Sequence, residues 1–432
     1  MIKMSRNVKA IEGSTGFLSM PYEVVEHILR HLHKTKDLLN LAKSSKRCYQ
    51  LALPCLYRHV NLVMGRLRTY PSLATNLKLH TAARSLRVCS RSTNPATDHK
   101  LPLIPSIKDN PANLSKKPFG KVDRAVFKHA QTTLCLLPHF QNLQSITLRG
   151  VPLPRSFYQS LHVLARLERL TLRACRLTTR YPRGYDPGTL GITELTLLQM
   201  RQNETSLPKL KGLLKLARSQ ALRTLRMDRS MEIALSSLVE YGLPHTLQRL
   251  ELDFRGTVPR GRKPFELLFK FLNSCKHIRH LELTDMGKLD GLMEYPIRMQ
   301  LRRDALPCLT SLTIPSAYVG LFTRSRNINS LTITDVVANH PPLTKHMELK
   351  DVASILRLLQ ISSITLESLK FNFNWWDKEL FYMLAAMTNM VKELVITYQQ
   401  GLPDDVNYFT VFDTLYPDCR LLGFFHVFRK PH

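Results

Sequence analysis

The sequence predicts an α/β fold in which a small N-terminal helical domain precedes a long array of short parallel strands. The array is indicated by the segment Leu167–Leu177, which reads L-x-x-L-x-L-x-x-C-x-L and has the leucine spacing of a strand followed by a turn. The same apolar spacing, at positions i, i+3 and i+5, recurs through the rest of the chain. Residues 18–62 differ, because their apolar residues follow the period of a helix.

The mean step between the first residues of these triplets is about 28 residues, close to the length of a strand-plus-helix repeat. One such unit cannot bury its apolar face alone, so neighbouring units must stack. A doubly wound α/β sheet is the alternative, but its strands usually read as continuous apolar runs. The sequence therefore predicts an irregular solenoid with a parallel concave sheet. The triplets are Leu143/Ile146/Leu148, Leu167/Leu170/Leu172, Ile192/Leu195/Leu197, Leu222/Leu225/Met227, Leu247/Leu250/Leu252, Ile278/Leu281/Leu283, Leu309/Leu312/Ile314, Ile328/Leu331/Ile333, Leu366/Leu369/Phe371 and Val391/Leu394/Ile396.

Composition and charge narrow the class of protein. Hydrophobic residues make up 44% of the 432 residues, which is typical of a folded protein. The formal net charge is +29, and residues 61–130 hold 13 Lys and Arg against 3 Asp and Glu. This surplus indicates either a polyanionic partner such as nucleic acid or a solvated basic surface that keeps a long chain soluble.

The sequence contains no pattern typical of catalysis or of a metal centre. The eight cysteines include no C-x-x-C pair, which argues against a zinc site and a disulfide framework. His27 and His31 are four residues apart on a predicted helix, but no further ligands stand nearby, and we interpret them as surface or interface histidines. No phosphate-binding glycine loop, serine elbow or zinc-protease motif occurs. We therefore expect no metal, no cofactor and no catalytic residue.

Nothing in the sequence predicts secretion or a membrane. The N-terminal residues lead into no apolar core of signal-peptide length, and no apolar run is long enough to span a bilayer. We therefore expect a soluble protein of the cytoplasm, the nucleus or both, with no membrane partner.

A small helical domain is predicted over residues 17–62, after a flexible N-terminus at residues 1–16. Its first helix begins near Pro21, a residue that suits a first helical turn. Two shorter helices follow, and Pro54 is expected to end the last of them. Fewer than about 50 residues rarely bury enough apolar area to fold robustly alone. The surplus leucines therefore suggest half of an interface, and the alternative is a helical cap for the array.

This stretch resembles an F-box. The resemblance rests on Met20-Pro21-x-Glu23, Ile28-Leu29-x-His31-Leu32, Asp37-Leu38-Leu39-x-Leu41, Ser44/Ser45 and Leu56-Tyr57-Arg58. It departs from the family at Met20, where a leucine is usual, and at Cys48-Tyr49, where the usual aromatic is displaced. The resemblance implies docking on a Skp adaptor and, through it, on a cullin. The residues expected to contact the adaptor are Met20, Pro21, Val24, Val25, Ile28, Leu29, Leu32, Leu38, Leu39 and Leu41.

The apolar triplets resemble leucine-rich repeats, predicted over residues 63–432, and an F-box followed by such repeats is a known pairing. Ala83/Leu86/Val88 is predicted to be a degenerate first strand, and residues 421–428 a terminal strand. Residues 91–120 are predicted to be an exposed basic loop, because they contain five prolines and few large apolar groups. The turn position that holds Asn or Cys in the family does so in only two repeats, one of them at Cys175, so the array should be irregular.

The outward positions of the strands are the candidate target-binding surface. They change from basic to acidic to polar along the array, as a protein-binding face would, although an ordinary solvated face is the alternative. Both tryptophans of the chain follow one strand, and tryptophan is enriched at binding hot spots. The residues predicted to bind a target are Arg149, Arg169, Arg173, Arg226, Glu251, Asp253, Glu282, Lys370, Trp375 and Trp376.

These patterns favour a non-catalytic function. The resemblance implies a substrate-recognition subunit of a Skp–cullin–F-box ubiquitin ligase, in which the repeats hold an unidentified target protein. One alternative is a repeat protein that binds nucleic acid or another polyanion through its basic region at residues 61–130. Another is an F-box protein that binds Skp without building a ligase.

Overall fold

The computed structural model describes residues 20–32, 35–64, 75–90, 121–200, 207–228, 232–254, 263–284, 301–323, 326–334, 355, 357, 359, 366–375, 391–400 and 424–429. Within these residues the chain contains N-terminal helices and one large parallel β-sheet with further helices between its strands, which confirms the α/β class. The predicted flexible N-terminus and the predicted basic loop lie outside the described residues.

Three short helices form the N-terminal part: α1 (Tyr22–His31), α2 (Thr35–Ser44) and α3 (Lys46–Leu56). The hydroxyl of Ser45 caps α3, because its Oγ accepts a 3.0 Å hydrogen bond from the backbone N–H of Cys48. The helices enclose a small core of their own, separate from that of the sheet, formed by Val25, Leu29 and Leu38.

The prediction that Pro54 ends the third helix is wrong. Helix α3 continues to Leu56, and the N–H of Tyr57 still bonds to the carbonyl of Leu53 at 3.1 Å. A proline removes one N–H donor and strains the preceding turn. Because Pro54 lies only two residues before the end of α3, its missing N–H removes one hydrogen bond, and the bonds on either side keep the helix intact.

Among the described residues, thirteen strands are paired in parallel, and their order in the sheet is their order in the chain. They are β1 (His59–Val63), β2 (Ser85–Cys89), β3 (Ser145–Arg149), β5 (Arg169–Arg173), β7 (Glu194–Leu198), β8 (Thr224–Asp228), β9 (Arg249–Asp253), β10 (His280–Thr284), β11 (Ser311–Pro315), β12 (Ser330–Thr334), β13 (Ser368–Trp375), β14 (Glu393–Gln400) and β15 (Phe424–Arg429). Two-residue strands, β4 (Pro152–Leu153) and β6 (Arg176–Leu177), pair with each other separately.

The last two residues of each of the ten apolar triplets lie in a strand of this sheet, which confirms the strand predictions. In β5, for example, Leu170 and Leu172 are fully buried, while the residues on either side of them reach the other face. Side chains alternate between the two faces of a strand, so two leucines separated by one residue always point to the same side. The degenerate triplet forms β2, and the terminal strand is β15. The sheet also starts earlier than predicted, because β1 pairs with β2.

A backbone motif aligns every strand with the next. The carbonyl of the residue before one strand accepts two N–H groups, those of the residue before the following strand and of its first residue. Arg58 receives both bonds from Arg84 and Ser85 at 2.9 Å, and the pattern repeats at each step as far as β14. Backbone donors and acceptors at the strand entrances are thus satisfied in the same way along the sheet.

The turns after three successive strands, β3, β5 and β7, also share a conformation. Gly150, Ala174 and Gln199 have φ values of 66°, 52° and 53°, in the left-handed region. In the second of these turns the buried thiol of Cys175 lies 3.3 Å from the carbonyl oxygen of Leu148. This agrees with the turn role predicted for that cysteine.

Helices connect the strands and close the core on one side of the sheet. They are α4 (Leu77–Ala82), α5 (Lys121–Cys135), α6 (Arg155–Val163), α7 (Leu207–Leu214), α8 (Glu232–Tyr241), α9 (Lys263–Ser274) and α10 (Val319–Phe322). One hydrophobic core runs along the sheet from Val60 to Leu394. The opposite sheet face carries the polar outward positions and is called the open face below. No helix in the described part of the chain is long and apolar enough to cross a membrane.

Candidate functional site

Exposed apolar side chains are concentrated on the three N-terminal helices. Eight large apolar side chains are exposed among the described residues, and five of them lie between residues 20 and 49. This apolar face consists of Met20, Val24, Ile28, Leu39 and Tyr49, which are 37–45% exposed. We interpret this concentration of exposed apolar side chains on one small domain as a candidate interaction surface.

The structure divides the ten residues predicted to contact an adaptor. Met20, Pro21, Val24, Ile28 and Leu39 are exposed, and Leu32 and Leu41 are half-buried. The other three, Val25, Leu29 and Leu38, are at most 7% exposed and form the core between the helices. They can support a docking surface but are not accessible to contact a partner.

The reason for this division is the geometry of α1. Val24 and Ile28 are one turn apart on the outer side, whereas Val25 and Leu29 are one turn apart on the inner side. The sequence shows one broad apolar stripe, and the structure buries one side of it and leaves the other side exposed. Tyr49, which the sequence analysis named only as a departure from the family, is also exposed, on α3.

Arginines gather at the first strands of the open face. Arg87, Arg149 and Arg173 stand on β2, β3 and β5, and the pKa of Arg149 is lowered because its guanidinium is buried and because the charges of Arg173 and Arg87 oppose its own. Arg149 is only 8% exposed, whereas Arg169 is exposed. The predicted basic end of the face is therefore present, and Arg87 is an addition that the degenerate triplet of β2 could have revealed.

The middle of the open face carries a network of ion pairs. Glu251 accepts a 2.6 Å bond from Nε of Arg249, and its other oxygen lies 3.4 Å from Nε of Arg226. Arg249 also lies 3.8 Å from Glu282. Three predicted target residues are thus paired within the sheet: Arg226 contacts Glu251 directly, and Arg249 links Glu251 to Glu282. Arg249 opens strand β9 but was not among the predicted residues. Asp253, another predicted residue, is half-buried on the same strand.

The pKa of the Glu282 carboxyl is raised by its surroundings in this network. Burial raises the pKa of its carboxyl, and the charges of Glu251 and Asp253 raise it further, while Arg249 and Arg226 act in the opposite direction. The negative charge on Glu282 is therefore held at some cost to the folded chain.

Beyond the network the face becomes neutral and then charged again. Strands β11 and β12 present serine and threonine at their outward positions, and Lys370 on β13 pairs with Glu393 on β14 at 3.2 Å. Trp375 is the last residue of β13, and Trp376 lies outside the described residues, so their roles stay predictions.

Among the residues that the structure describes, no group of three or more His, Cys, Asp and Glu side chains is placed to hold a metal ion. All seven cysteines in those ranges are free thiols. Burial raises the pKa of the Cys175 thiol and that of Cys275, each to about 12, so neither is prepared to act as a nucleophile at neutral pH.

Comparison with protein families gives one match. The F-box-like family model matches residues 17–63, the segment that contains the three N-terminal helices and the apolar face. This match supports the assignment of an F-box and indicates a role connected with Skp–cullin–F-box complexes, since F-box domains generally bind the Skp adaptor. No curated protein matches the chain.

Proposed function

We propose that this protein is a substrate-recognition subunit of a Skp–cullin–F-box ubiquitin ligase. In this proposal the apolar face binds the Skp adaptor, the adaptor links the chain to a cullin, and the open face of the sheet binds a target protein. We place the protein in the cytoplasm, the nucleus or both. The observation that carries the proposal is the apolar face itself, which lies within the F-box-like segment.

The apolar face suits an adaptor because it is distinct from the residues that hold the helices together. Val25, Leu29 and Leu38 supply the internal core, and Met20, Val24, Ile28 and Leu39 remain on the outside. Covering exposed apolar area with a partner is favourable by about 25 cal/mol per Å² before the costs of association are subtracted.

We further propose that the sheet region is a leucine-rich-repeat solenoid. Its support is threefold: strands paired in chain order, a buried apolar pair in each strand of the large sheet from β2 to β13, and the repeated double hydrogen bond at the strand entrances. In such a stack each repeat contacts mainly its neighbours and presents one row of side chains to a ligand. The open face would then be the target-binding surface.

A receptor of this kind acts by proximity. It holds a target lysine near a ubiquitin-charged carrier and so raises the effective concentration of the reacting groups. The role requires no catalytic residue in this chain. It requires two separate surfaces, and the apolar face and the open face supply them on different elements.

The docking half of the proposal is tested with Val24→Asp combined with Ile28→Asp in the full chain. Both side chains are exposed, so the helices should fold, while two carboxylates in a desolvated interface cost several kcal/mol. We expect the variant to lose capture of purified Skp in a pull-down. Val163→Asp, an equally drastic change at a 60% exposed valine on α6, should capture Skp as the parent chain does.

Leu29→Asp distinguishes docking from folding. This residue is 1% exposed within the helical core, so a charge there should unfold the three helices as well as abolish capture. The double variant at Val24 and Ile28 should lose capture with its helical circular dichroism unchanged. Retained Skp capture by that folded double variant would refute the assignment of the apolar face.

A second candidate function is binding of a polyanion such as nucleic acid. It is favoured by the arginines of β2, β3 and β5, whose mutual repulsion an anion would relieve. Its binding would weaken steeply with salt, because each neutralised phosphate releases counterions.

A further inference from the structure

Two histidines of α1 stand side by side on its outer surface. His27 and His31 are one helical turn apart, both are exposed, and their Nε2 atoms lie 3.3 Å from each other. The ring centroids are 4.8 Å apart and the ring planes are inclined by 71°. Since the nitrogens are closer to each other than the ring centres are, the Nε2 corners of the two imidazoles face each other at hydrogen-bond distance.

The distance between these nitrogens matches a metal-binding geometry. Zinc binds imidazole nitrogen at about 2.0–2.1 Å with tetrahedral angles, which places two nitrogens of the same ion about 3.3–3.4 Å apart. The pair has that separation without any rearrangement of α1. Two histidines four residues apart on a helix are also the arrangement by which zinc proteases present two ligands from one face.

In place of the sequence-based expectation that these histidines bind no metal, we propose that His27 and His31 form a two-histidine binding site for a divalent transition metal of the zinc class. Imidazole is a good ligand for zinc, copper and nickel ions, so the site selects this group rather than magnesium or calcium. Both rings bind as neutral imidazoles through Nε2 and keep a hydrogen on Nδ1. Without a metal, one of the two rings donates the hydrogen bond through its Nε2–H. When the metal binds, that ring therefore loses the Nε2 proton to solvent and takes up a proton at Nδ1.

The site is open. Within the described ranges no third His, Cys, Asp or Glu side chain joins the pair, so water fills the remaining coordination positions. A docked protein could replace that water with one of its own ligands. His27 lies next to Ile28 on the helix and His31 three residues beyond it, so the metal would border the apolar face. The proposal does not depend on what binds that face.

The test is a calorimetric titration of the full chain with zinc chloride, compared with the single variants His27→Ala and His31→Ala. We expect each variant to lose the same binding event, with affinity reduced by roughly tenfold or more, since even changes outside the ligand shell of metal sites cost that much. His277→Ala is the matched control, because His277 is exposed on another part of the chain and should leave the event intact.

A spectroscopic measurement makes the test independent of stability. In chain labelled at histidine, the ring resonances of both residues should shift together on zinc addition. In either variant the remaining ring should respond only at zinc concentrations roughly tenfold higher or more. Unchanged zinc binding in His27→Ala and His31→Ala would overturn the proposal. Loss of the event in only one of the two variants would also overturn it, because the site requires both nitrogens.

Discussion

Ala174 occupies a backbone conformation that suits glycine better than alanine. Its φ of 52° is equivalent to that of Gly150 in the preceding turn, whose φ is 66°. A side chain in this region meets its own carbonyl, at a cost of roughly 1–2 kcal/mol. We expect Ala174→Gly to stabilise the fold by about 0.5–1 kcal/mol, because relief of strain exceeds the entropy that glycine adds to the unfolded chain. Denaturant unfolding checks this.

Gly150→Ala is the converse experiment. A Cβ at Gly150 would stand 3.1 Å from Cβ of Ser90 in addition to the strained φ. We expect a loss of about 1–2 kcal/mol in the free energy of unfolding. If Ala174→Gly and Gly150→Ala change the free energy of unfolding in the same direction, the left-handed φ does not decide which residue is favoured in these turns.

The raised pKa of Glu282 gives a pH dependence with a definite sign. A carboxyl whose pKa is higher in the folded chain than in the unfolded chain destabilises the fold when it is charged. That penalty is fully present above the folded pKa and is relieved as the pH falls through it. We therefore expect Glu282→Gln to be more stable than the parent chain at neutral pH, with the difference shrinking in acid.

The measurement is the denaturation midpoint of both proteins across the acidic and neutral range. Glu393→Gln is a useful control, since Glu393 belongs to the separate pair with Lys370. A Glu282→Gln chain that is less stable at neutral pH would show that the pairing with Arg249 outweighs burial and the neighbouring carboxylates.

At the scale of the strand, the buried leucines carry the stability. Leu250 is fully buried in β9 and its neighbours in the register are Leu225 and Leu281. We expect Leu250→Ala to cost about 2–5 kcal/mol, because the cavity is enclosed by adjacent strands that cannot collapse into it. Thr224→Ala, at a half-buried outward position, should cost far less in the same denaturation experiment.

The strands could be predicted because one short pattern dictates them. Two leucines separated by one polar residue leave a strand only one way to face the core, and the ten triplets supply that pattern. The burial of residues on the N-terminal helices was harder to predict. Period alone shows which residues of α1 are apolar, but only packing shows that Val25 and Leu29 face inward while Val24 and Ile28 face outward.

The ion-pair network shows a second limit of the sequence. Arg226, Glu251 and Glu282 were predicted as separate binding residues because their outward positions follow from strand alternation. Arg226 pairs with Glu251 on the next strand of the same row, and Arg249, the partner of Glu251 and Glu282, stands in another row of the face. A linear pattern does not show that long side chains cross between rows. Pairing across strands depends on the register, which only the folded sheet provides.

At the scale of the whole molecule, charge reversal can show which basic surface captures the target, the open face or the segment at residues 91–120. If the open face captures the target, Arg169→Glu with Arg173→Glu should weaken capture, since both stand on β5 at the basic end. Arg226 is left unchanged because its reversal would also break the pair with Glu251. Arg303→Glu, at an exposed arginine outside the strands, is the control. Affinity purification with mass spectrometry provides the target and the readout.

The basic segment at residues 91–120, together with the lysine that follows it, is the competing location. Neutralising Lys100, Lys108, Lys116, Lys117 and Lys121 should leave target capture unchanged if the open face is responsible. If nucleic acid is the ligand, the same changes should lower the salt slope of binding by about 0.9 for each phosphate that the protein no longer neutralises. Capture that survives the arginine reversals but fails with the lysine changes would refute our assignment.

The strand order has a consequence for how the sheet withstands mechanical force. No strand of the large sheet, within the described residues, pairs with one remote in the chain, and each step is held by the same short set of backbone bonds. Tension applied between the two ends would therefore load the steps in series, and the weakest outer step would open first. The steps of the sheet should therefore separate one after another under tension, and they should pair again one after another when the tension is removed.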